Sequence, residues 1–184
     1  MMEDLAMHIL EILMNSIHAL SKNIKFTIHD SSLNDKIIMI VEDDGKGMSE
    51  EQVAKISSPF MTGRTTRKVG LGVAFLKALT EQCNGEFNVS SSIGIGTTVK
   101  ASVQKSFIDT PPMGDLGEII MECIQADDQI DYLFIYKTDL DEFIFDTKEI
   151  KKELEGLSLQ EPSILLWIKD YINQNINSLK GDKR

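Results

Sequence analysis

Glu11 and Asn15 stand four residues apart near the start of a 184-residue chain, and His8 and His18 extend the series at three- and four-residue intervals. On a helix these four side chains share one face. The residues between them are mostly apolar (Leu5, Ile9, Ile12, Leu13, Ile17, Leu20), and no lysine or arginine appears before Lys22. Such a helix is expected to be buried on most sides, with a narrow polar stripe opening onto a cleft. A carboxylate there can serve as a general base, and an amide oxygen can ligate a hard cation. A buried carboxylate without a partner is costly, so Glu11 on that stripe calls for a reason.

Three further clusters follow in order. Asp43-Asp44-Gly45-Lys46-Gly47-Met48 comes directly after the apolar run Ile37–Val41, so D-x-G-x-G sits at a strand end, where open α/β sheets place ligands. An ionised aspartate only accepts hydrogen bonds and can take one from an exocyclic amine such as that of adenine. Glycines let the backbone turn sharply beside a ligand. Next comes Ser58-Pro59-Phe60-Met61-Thr62-Gly63-Arg64-Thr65-Thr66-Arg67-Lys68-Val69, a polar, basic loop that leads through Gly70-Leu71-Gly72-Val73 into a helix. Backbone N–H groups at a glycine-rich helix start favour a phosphate, and Arg64, Arg67 and Lys68 add positive charge. Last is Gly94-Ile95-Gly96-Thr97-Thr98, a glycine turn feeding a strand.

Taken singly, each cluster is ordinary: an amphipathic helix, an Asp-Gly turn, a helix entry, a hairpin turn. Together, the patterns E-x-x-x-N, D-x-G-x-G, P-F-x-T, G-L-G and G-x-G-T, in this order, resemble the N, G1, F/G2 and G3 boxes of the GHKL superfamily, the histidine kinase-like ATPases with the Bergerat ATP-binding fold. The resemblance covers residues from about 5 to 104. It implies an α+β protein, a two-layer α/β sandwich that binds ATP with Mg²⁺. It implies that Glu11 orients or deprotonates the attacking water, that Asn15 ligates Mg²⁺, and that His18 lies near the nucleotide. Asp43 would bind adenine, with Gly45, Gly47 and Met48 forming the purine-pocket turn and Thr97 supporting the aspartate. Phe60, Thr62, Arg64, Arg67 and Lys68 would belong to the lid, and Gly70, Leu71, Gly72 and Val73 to the phosphate-facing turn. The chain departs from the pattern where Lys68-Val69 stand in place of the further glycine that histidine kinases often carry, and the lid is short.

The elements that must position these residues read as follows. A helix is expected over 4–20 with Asp4 as cap, strands over 25–29 and 36–41, and a short helix over 50–56. The continuous apolar run of the second strand predicts a central strand. A helix over 71–83 stops near Asn84-Gly85, and strands follow at 86–91 and 97–104. Thr110-Pro111-Pro112 marks a boundary, giving an ATP-binding domain at residues 1–106 and a C-terminal α/β extension at 107–184. In the extension, Asp115-x-x-Glu118 and Asp146-x-x-Glu149 resemble capping boxes, and strands are expected at 131–137 and 142–145. The last helix opens near Pro162 with an apolar stripe of Leu165, Ile168, Ile172, Ile176 and Leu179 that must be buried.

Composition narrows the function classes. Residues 106–184 carry 8 basic and 17 acidic side chains against 11 and 12 in residues 1–105, for a net charge of -10 overall. That acidic balance argues against nucleic acid as the main partner, because phosphate neutralisation dominates such binding. Neither a membrane span nor a signal peptide is expected, which points to the cytoplasm. Cys83 and Cys123, far apart, are read as semi-buried thiols. The functional expectation is Mg-ATP binding with hydrolysis through Glu11. The alternatives are a protein kinase of the anti-sigma type and an ATP-gated protein-binding module. The dimerising helical pair that precedes the ATP domain of sensor kinases is not seen, and His8 is not read as a phosphoacceptor. The segment from Asp109 resembles the extension of small members of the superfamily encoded near iron hydrogenase genes, which implies a hydrogenase-related or regulatory protein partner, with a homodimer as another expected assembly.

Overall fold

The computed structural model describes residues 3–56 and 71–181. The first helix, α1 (Leu5–His18), starts where expected: the Asp4 carboxylate accepts the N–H of Met7 at 2.8 Å, satisfying one of the donors a helix leaves open at its start. It ends at His18 because Leu20 takes the left-handed conformation, with φ of 60°. Leu5, Ile9, Ile12 and Leu13 are buried along its inner face.

Strands β1 (Asn23–Ser31) and β2 (Lys36–Asp43) form a hairpin. The short helix α2 (Glu50–Ile56) and helix α3 (Leu71–Gln82) precede strands β3 (Phe87–Ser92) and β4 (Gly96–Gln104). Then come α4 (Leu116–Ala126), β5 (Asp131–Lys137), β6 (Glu142–Asp146), α5 (Thr147–Glu153) and α6 (Pro162–Gly181). One six-stranded sheet results, in the order β3-β4-β2-β1-β5-β6. Among the described strands only the β1–β5 pairing is parallel, with Phe26 opposite Phe134, and those two rings stack with centroids 5.1 Å apart.

The fold is α+β, a two-layer α/β sandwich. Helices α3, α1, α4 and α6 pack side by side in that order and cover one face of the sheet. The apolar run of β2 is therefore buried on one side only: Ile37, Met39 and Val41 are buried, whereas Ile38 and Ile40 are half-exposed. The strand is interior, as expected, but its uninterrupted apolar pattern reflects a half-covered sheet, not helices on both faces.

The second part of the chain extends the same sheet. Its link to the first is direct, since the N–H groups of Leu5 and Ala6 donate to the carbonyls of Pro112 and Met113, each at 2.9 Å. The segment before α4 thus supplies acceptors to the start of α1. Both capping boxes are half formed. Asp115 accepts the Glu118 N–H and Asp146 the Lys148 N–H, but the Glu118 side chain pairs with Lys169 and Glu149 with Lys152. The stripe of α6 is buried as expected at Leu165, Ile168, Ile172 and Ile176, each contributing about 1.5–3 kcal/mol. Trp167 and Tyr171 lie on its exposed flank, stacked at 5.0 Å. Among the described residues no helix is long and apolar enough to cross a membrane.

Candidate functional site

Asp43, the last residue of β2, lies opposite Thr97 of β4 and beside α1. Its carboxylate is held at both oxygens: Oδ1 accepts the Gly45 N–H at 2.9 Å and Oδ2 accepts the Ser16 hydroxyl at 2.7 Å. The first contact folds the chain back on the aspartate, as Asp does two residues on in a turn. The second crosses from sheet to helix. Asp44 turns the other way and caps the start of β1, accepting the N–H groups of Lys22 at 2.7 Å and Asn23 at 2.9 Å. Burial pushes the Asp44 carboxyl up, but the hydrogen bonds from Asn23 and Lys22 outweigh it and hold it below its ordinary range.

The turn after Asp43 is pinned on two sides. Lys46 N–H donates to the Ala19 carbonyl at 2.9 Å, and the Lys46 carbonyl accepts the Gly94 N–H at 2.8 Å. Gly47 has φ of 66°, and a Cβ there would meet the Ser92 carbonyl oxygen at 1.9 Å, so only glycine serves. Met48 N–H donates to Ser91 Oγ at 2.8 Å, and Ser91 Oγ shares a 2.8 Å hydrogen bond with Thr97 Oγ1. The D-x-G-x-G turn and the G-x-G-T turn are therefore one hydrogen-bonded unit.

A cavity of about 290 Å³ opens over this unit, lined by Asn15, His18, Asp43, Gly47, Met48, Val73 and Thr97 together with Ile12, Ser16, Ala19, Lys46, Ile56 and Val99. Its volume is near the lower end of the ~300–1,000 Å³ typical of small-molecule sites. Apolar walls and one carboxylate fit a flat, amine-bearing ring. Asn15 is half-buried and His18 exposed. Asn15 offers the amide oxygen that a hard cation would take, and no group of three or more His, Cys, Asp or Glu that could hold a metal exists among the described residues. A cation here would depend on Asn15 and on oxygens of the ligand itself, the usual arrangement for Mg²⁺ on phosphates.

The other expected residues fall in three places. Gly45 is buried beside Asp43, which it supports. Glu11 is exposed and not among the cavity-lining residues. The expectation of a costly buried carboxylate is thus corrected: the polar stripe of α1 opens to solvent at Glu11 and closes at His8, which is buried. Glu11 instead lies against Gly72, while Leu71 is exposed at the start of α3. Phe60, Thr62, Arg64, Arg67, Lys68 and Gly70 lie outside the described residues. Ser16, Lys46, Ile12, Ile56 and Val99 were not foreseen. The signal for Ser16 is a hydroxyl on the inward face of an otherwise apolar helix, next to Asn15.

A second concavity of about 280 Å³ lies on the far side of Asp43, lined by Asn23, Lys25, Glu42, Asp44, Asp131, Asp146 and Lys148 among others. Its charges pair with each other, Lys25 with Glu42 and Lys148 and Lys151 with Asp131.

The profile of the family described as histidine kinase-, DNA gyrase B-, and HSP90-like ATPase matches residues 3–106. The chain belongs to this family. Among curated members, sensor histidine kinase ZraS of Salmonella typhi is 33% identical over 89 residues, 48% of this chain and 19% of that protein. Sporulation kinase D of Bacillus subtilis (strain 168) is 30% identical over 98 residues, 53% of this chain and 19% of that protein. The chain spans about a fifth of the length of these relatives. The Aquifex aeolicus MutL ATPase domain, solved in complex with ADP, shares the fold with a TM-score of 0.50 at 13% identity, over 84% of this chain and 70% of that one. The GHKL resemblance read from the boxes is borne out, and residues 3–106 match the ATP-binding domain of this family.

Proposed function

We propose that the chain binds Mg-ATP in the cavity over Asp43 and hydrolyses it with Glu11 as general base. One observation carries the reading: a carboxylate anchored at both oxygens forms part of an otherwise largely apolar cavity whose lining also holds Asn15 and His18. Asp43 accepts the exocyclic amine of adenine while Ile12, Val73 and Val99 flank the ring. Asn15 and His18 face the phosphates, with Asn15 as the protein's ligand to Mg²⁺, and Phe60, Thr62, Arg64, Arg67, Lys68 and Gly70 act on the same triphosphate from the lid. Bound Mg²⁺ supplies charge neutralisation at the phosphates. Phosphoryl transfer is mostly positioning and electrostatic stabilisation, and the packing of Glu11 on Gly72 sets that carboxylate between α1 and the start of α3, the side on which water would attack.

Isothermal calorimetry with magnesium and ADP tests the binding, which Asp43→Asn should abolish. Glu11→Gln should keep binding and stop phosphate release; release at the unaltered rate would overturn the role of Glu11. The names of the relatives, sensor and sporulation kinases, favour a second reading, a protein kinase of the anti-sigma type. It expects transfer of γ-label to a protein instead of free phosphate. Binding without either outcome, accompanied by a change in assembly state, would make the chain an ATP-gated binding module. On all three readings residues 107–184 form an extension of the ATP-binding domain that meets a protein partner, regulatory or hydrogenase-related, or a second copy.

A further inference from the structure

Strand β6 ends the sheet on the side of the C-terminal extension, and among the described residues no further strand pairs with it. Its hairpin with β5 closes through the Thr138 N–H, which donates to the Asp141 carbonyl at 2.9 Å. Bonded pairs recur at every second residue of an antiparallel ladder, so Tyr136–Phe143 and Phe134–Phe145 are the next two. The backbone groups of Glu142, Ile144 and Asp146 therefore point away from β5, along a bare edge. The Glu142 N–H is taken by the Asp141 carboxylate at 2.8 Å. Ile144, at the centre of the edge, keeps both its donor and its acceptor open.

Two rings stand over that edge. On α6, Lys169 and Asn173 reach Asp115 and Glu118 on the α4 side, so Trp167 and Tyr171 lie on the opposite flank, toward β6. The Tyr171 ring meets Phe143 edge-on with centroids 5.6 Å apart, and Trp167 stacks on Tyr171. Trp167 is still 48% exposed, and Ile144, on the other face of the strand, is 52% exposed. Trp and Tyr are the residue types enriched where protein interfaces concentrate their binding energy. An extended segment laid beside β6 would bond to Ile144 through its backbone and bury alternate side chains under the two rings.

Charge decides what kind of segment fits. If two copies of the chain paired through β6, centred on Ile144, Glu142 of each would face Asp146 of the other, and like charges directly opposite are destabilising. A segment with Lys or Arg at its first and fifth residues would instead set a cation against each carboxylate. The surrounding residues 106–184, with 17 acidic and 8 basic side chains, draw the same sign. We propose that the edge of β6 under Trp167 and Tyr171 is the docking site of a protein partner, which adds an antiparallel strand with basic residues at both ends and apolar residues toward the rings. The surface gives a place to the partner proposed above for residues 107–184. It rests on that reading and not on the nucleotide chemistry, so ADP binding and strand binding fail separately.

Trp167 is the only tryptophan of the chain, so its fluorescence reads the site directly. The full chain is titrated with the end-capped peptide Gly-Ser-Lys-Val-Thr-Val-Lys-Ser-Gly. A blue shift with half-saturation below about 1 mM is expected. The same peptide with Glu for both Lys should bind about ten-fold more weakly. Proline for the central Thr keeps the charge but removes the N–H that faces Ile144, and should also cost about ten-fold. Glu142→Lys should favour the peptide whose second Lys is Glu by about three-fold over the first peptide. No shift with the first peptide, or equal binding of the three on the unaltered chain, would overturn the proposal. Self-association of the chain that the peptide disperses would overturn it as well, since a second copy would then hold the edge. Tyr171→Ala removes half of the cover and should weaken the first peptide about five-fold; unchanged affinity would put the peptide elsewhere and sink the idea. Should that variant fail to fold, the peptide series on the unaltered chain still decides.

Discussion

Gly72 of α3 lies so close under Glu11 of α1 that a methyl group on it would stand 2.7 Å from the Glu11 Cβ and 3.5 Å from its Oε2. The contact is to the root of the side chain, which cannot swing away. Gly72→Ala should therefore separate the two helices at this point. The steric cost of about 1–3 kcal/mol outweighs the ~1 kcal/mol an alanine gains in helix propensity. Urea denaturation should register the loss of stability, and steady-state phosphate release should fall more than ADP affinity, because Glu11 moves while Asp43 does not.

Gly96 meets Asp43 from the other side. It has φ of 134°, and a Cβ there would lie 1.9 Å from the Asp43 carbonyl oxygen. Backbone strain and backbone clash act together at this one position. Gly96→Ala should cost on the order of 3 kcal/mol or more and remove ADP binding. Thermal melting and calorimetry on the same preparation check both effects.

His8 gives the molecule an acid sensitivity. Burial pushes its imidazole below the ordinary value of 6.5, against the pull of Asp4, and its Nδ1 has no hydrogen-bond partner among the described residues. The folded state prefers the neutral ring, so the unfolded chain binds the proton more readily. Stability from this residue is full above pH 6.5 and is lost as pH falls through the depressed value in the folded state. Urea midpoints for the unaltered chain should drop between pH 7.5 and pH 5, and His8→Leu should flatten that part of the profile. The carboxylates of Asp35, Asp44 and Asp115, all held below 3.8, act only in stronger acid.

Residues 1–106 on their own should fold poorly. Removing the rest takes away the carbonyls of Pro112 and Met113 from the start of α1, the cover of α4, and the strand beside β1. The bared β1 edge is then a template for association. Size-exclusion chromatography of the shortened chain should show aggregates, and its circular dichroism should melt without a cooperative transition.

Much of this was readable in the sequence. Apolar spacing placed α1 and α6, Asp4 and Asp115 announced the caps of α1 and α4, and D-x-G-x-G after an apolar strand put Asp43 where a ligand could reach it. What was hidden was non-local. Nothing in the run Ile37–Val41 says that only one face of the sheet is covered. No spacing shows that β5 lies parallel to β1. Glu11 and His8 belong to the same stripe by period, yet one is exposed and the other buried, a difference set by tertiary packing that no spacing encodes. Ser16 carried a signal too faint to weigh alone, a small hydroxyl among apolar neighbours, and only the fold sets it against Asp43.

The parallel pairing of β1 with β5 also bears on how the protein is made. The neighbour that completes the flank of β1 begins about a hundred residues after that strand ends, and the acceptors for the first turn of α1 come from Pro112 and Met113. A ribosome adding ~5–20 residues per second takes roughly 5–20 s to travel from the end of β1 to the end of β5. Through that interval the helix carrying Asn15 and Ser16 has been made while part or all of its supports from Pro112, Met113 and β5 have not. A chain stopped before β5 would thus leave the β1 edge bare, and the nascent protein depends on being held apart from its neighbours until β5 has been made.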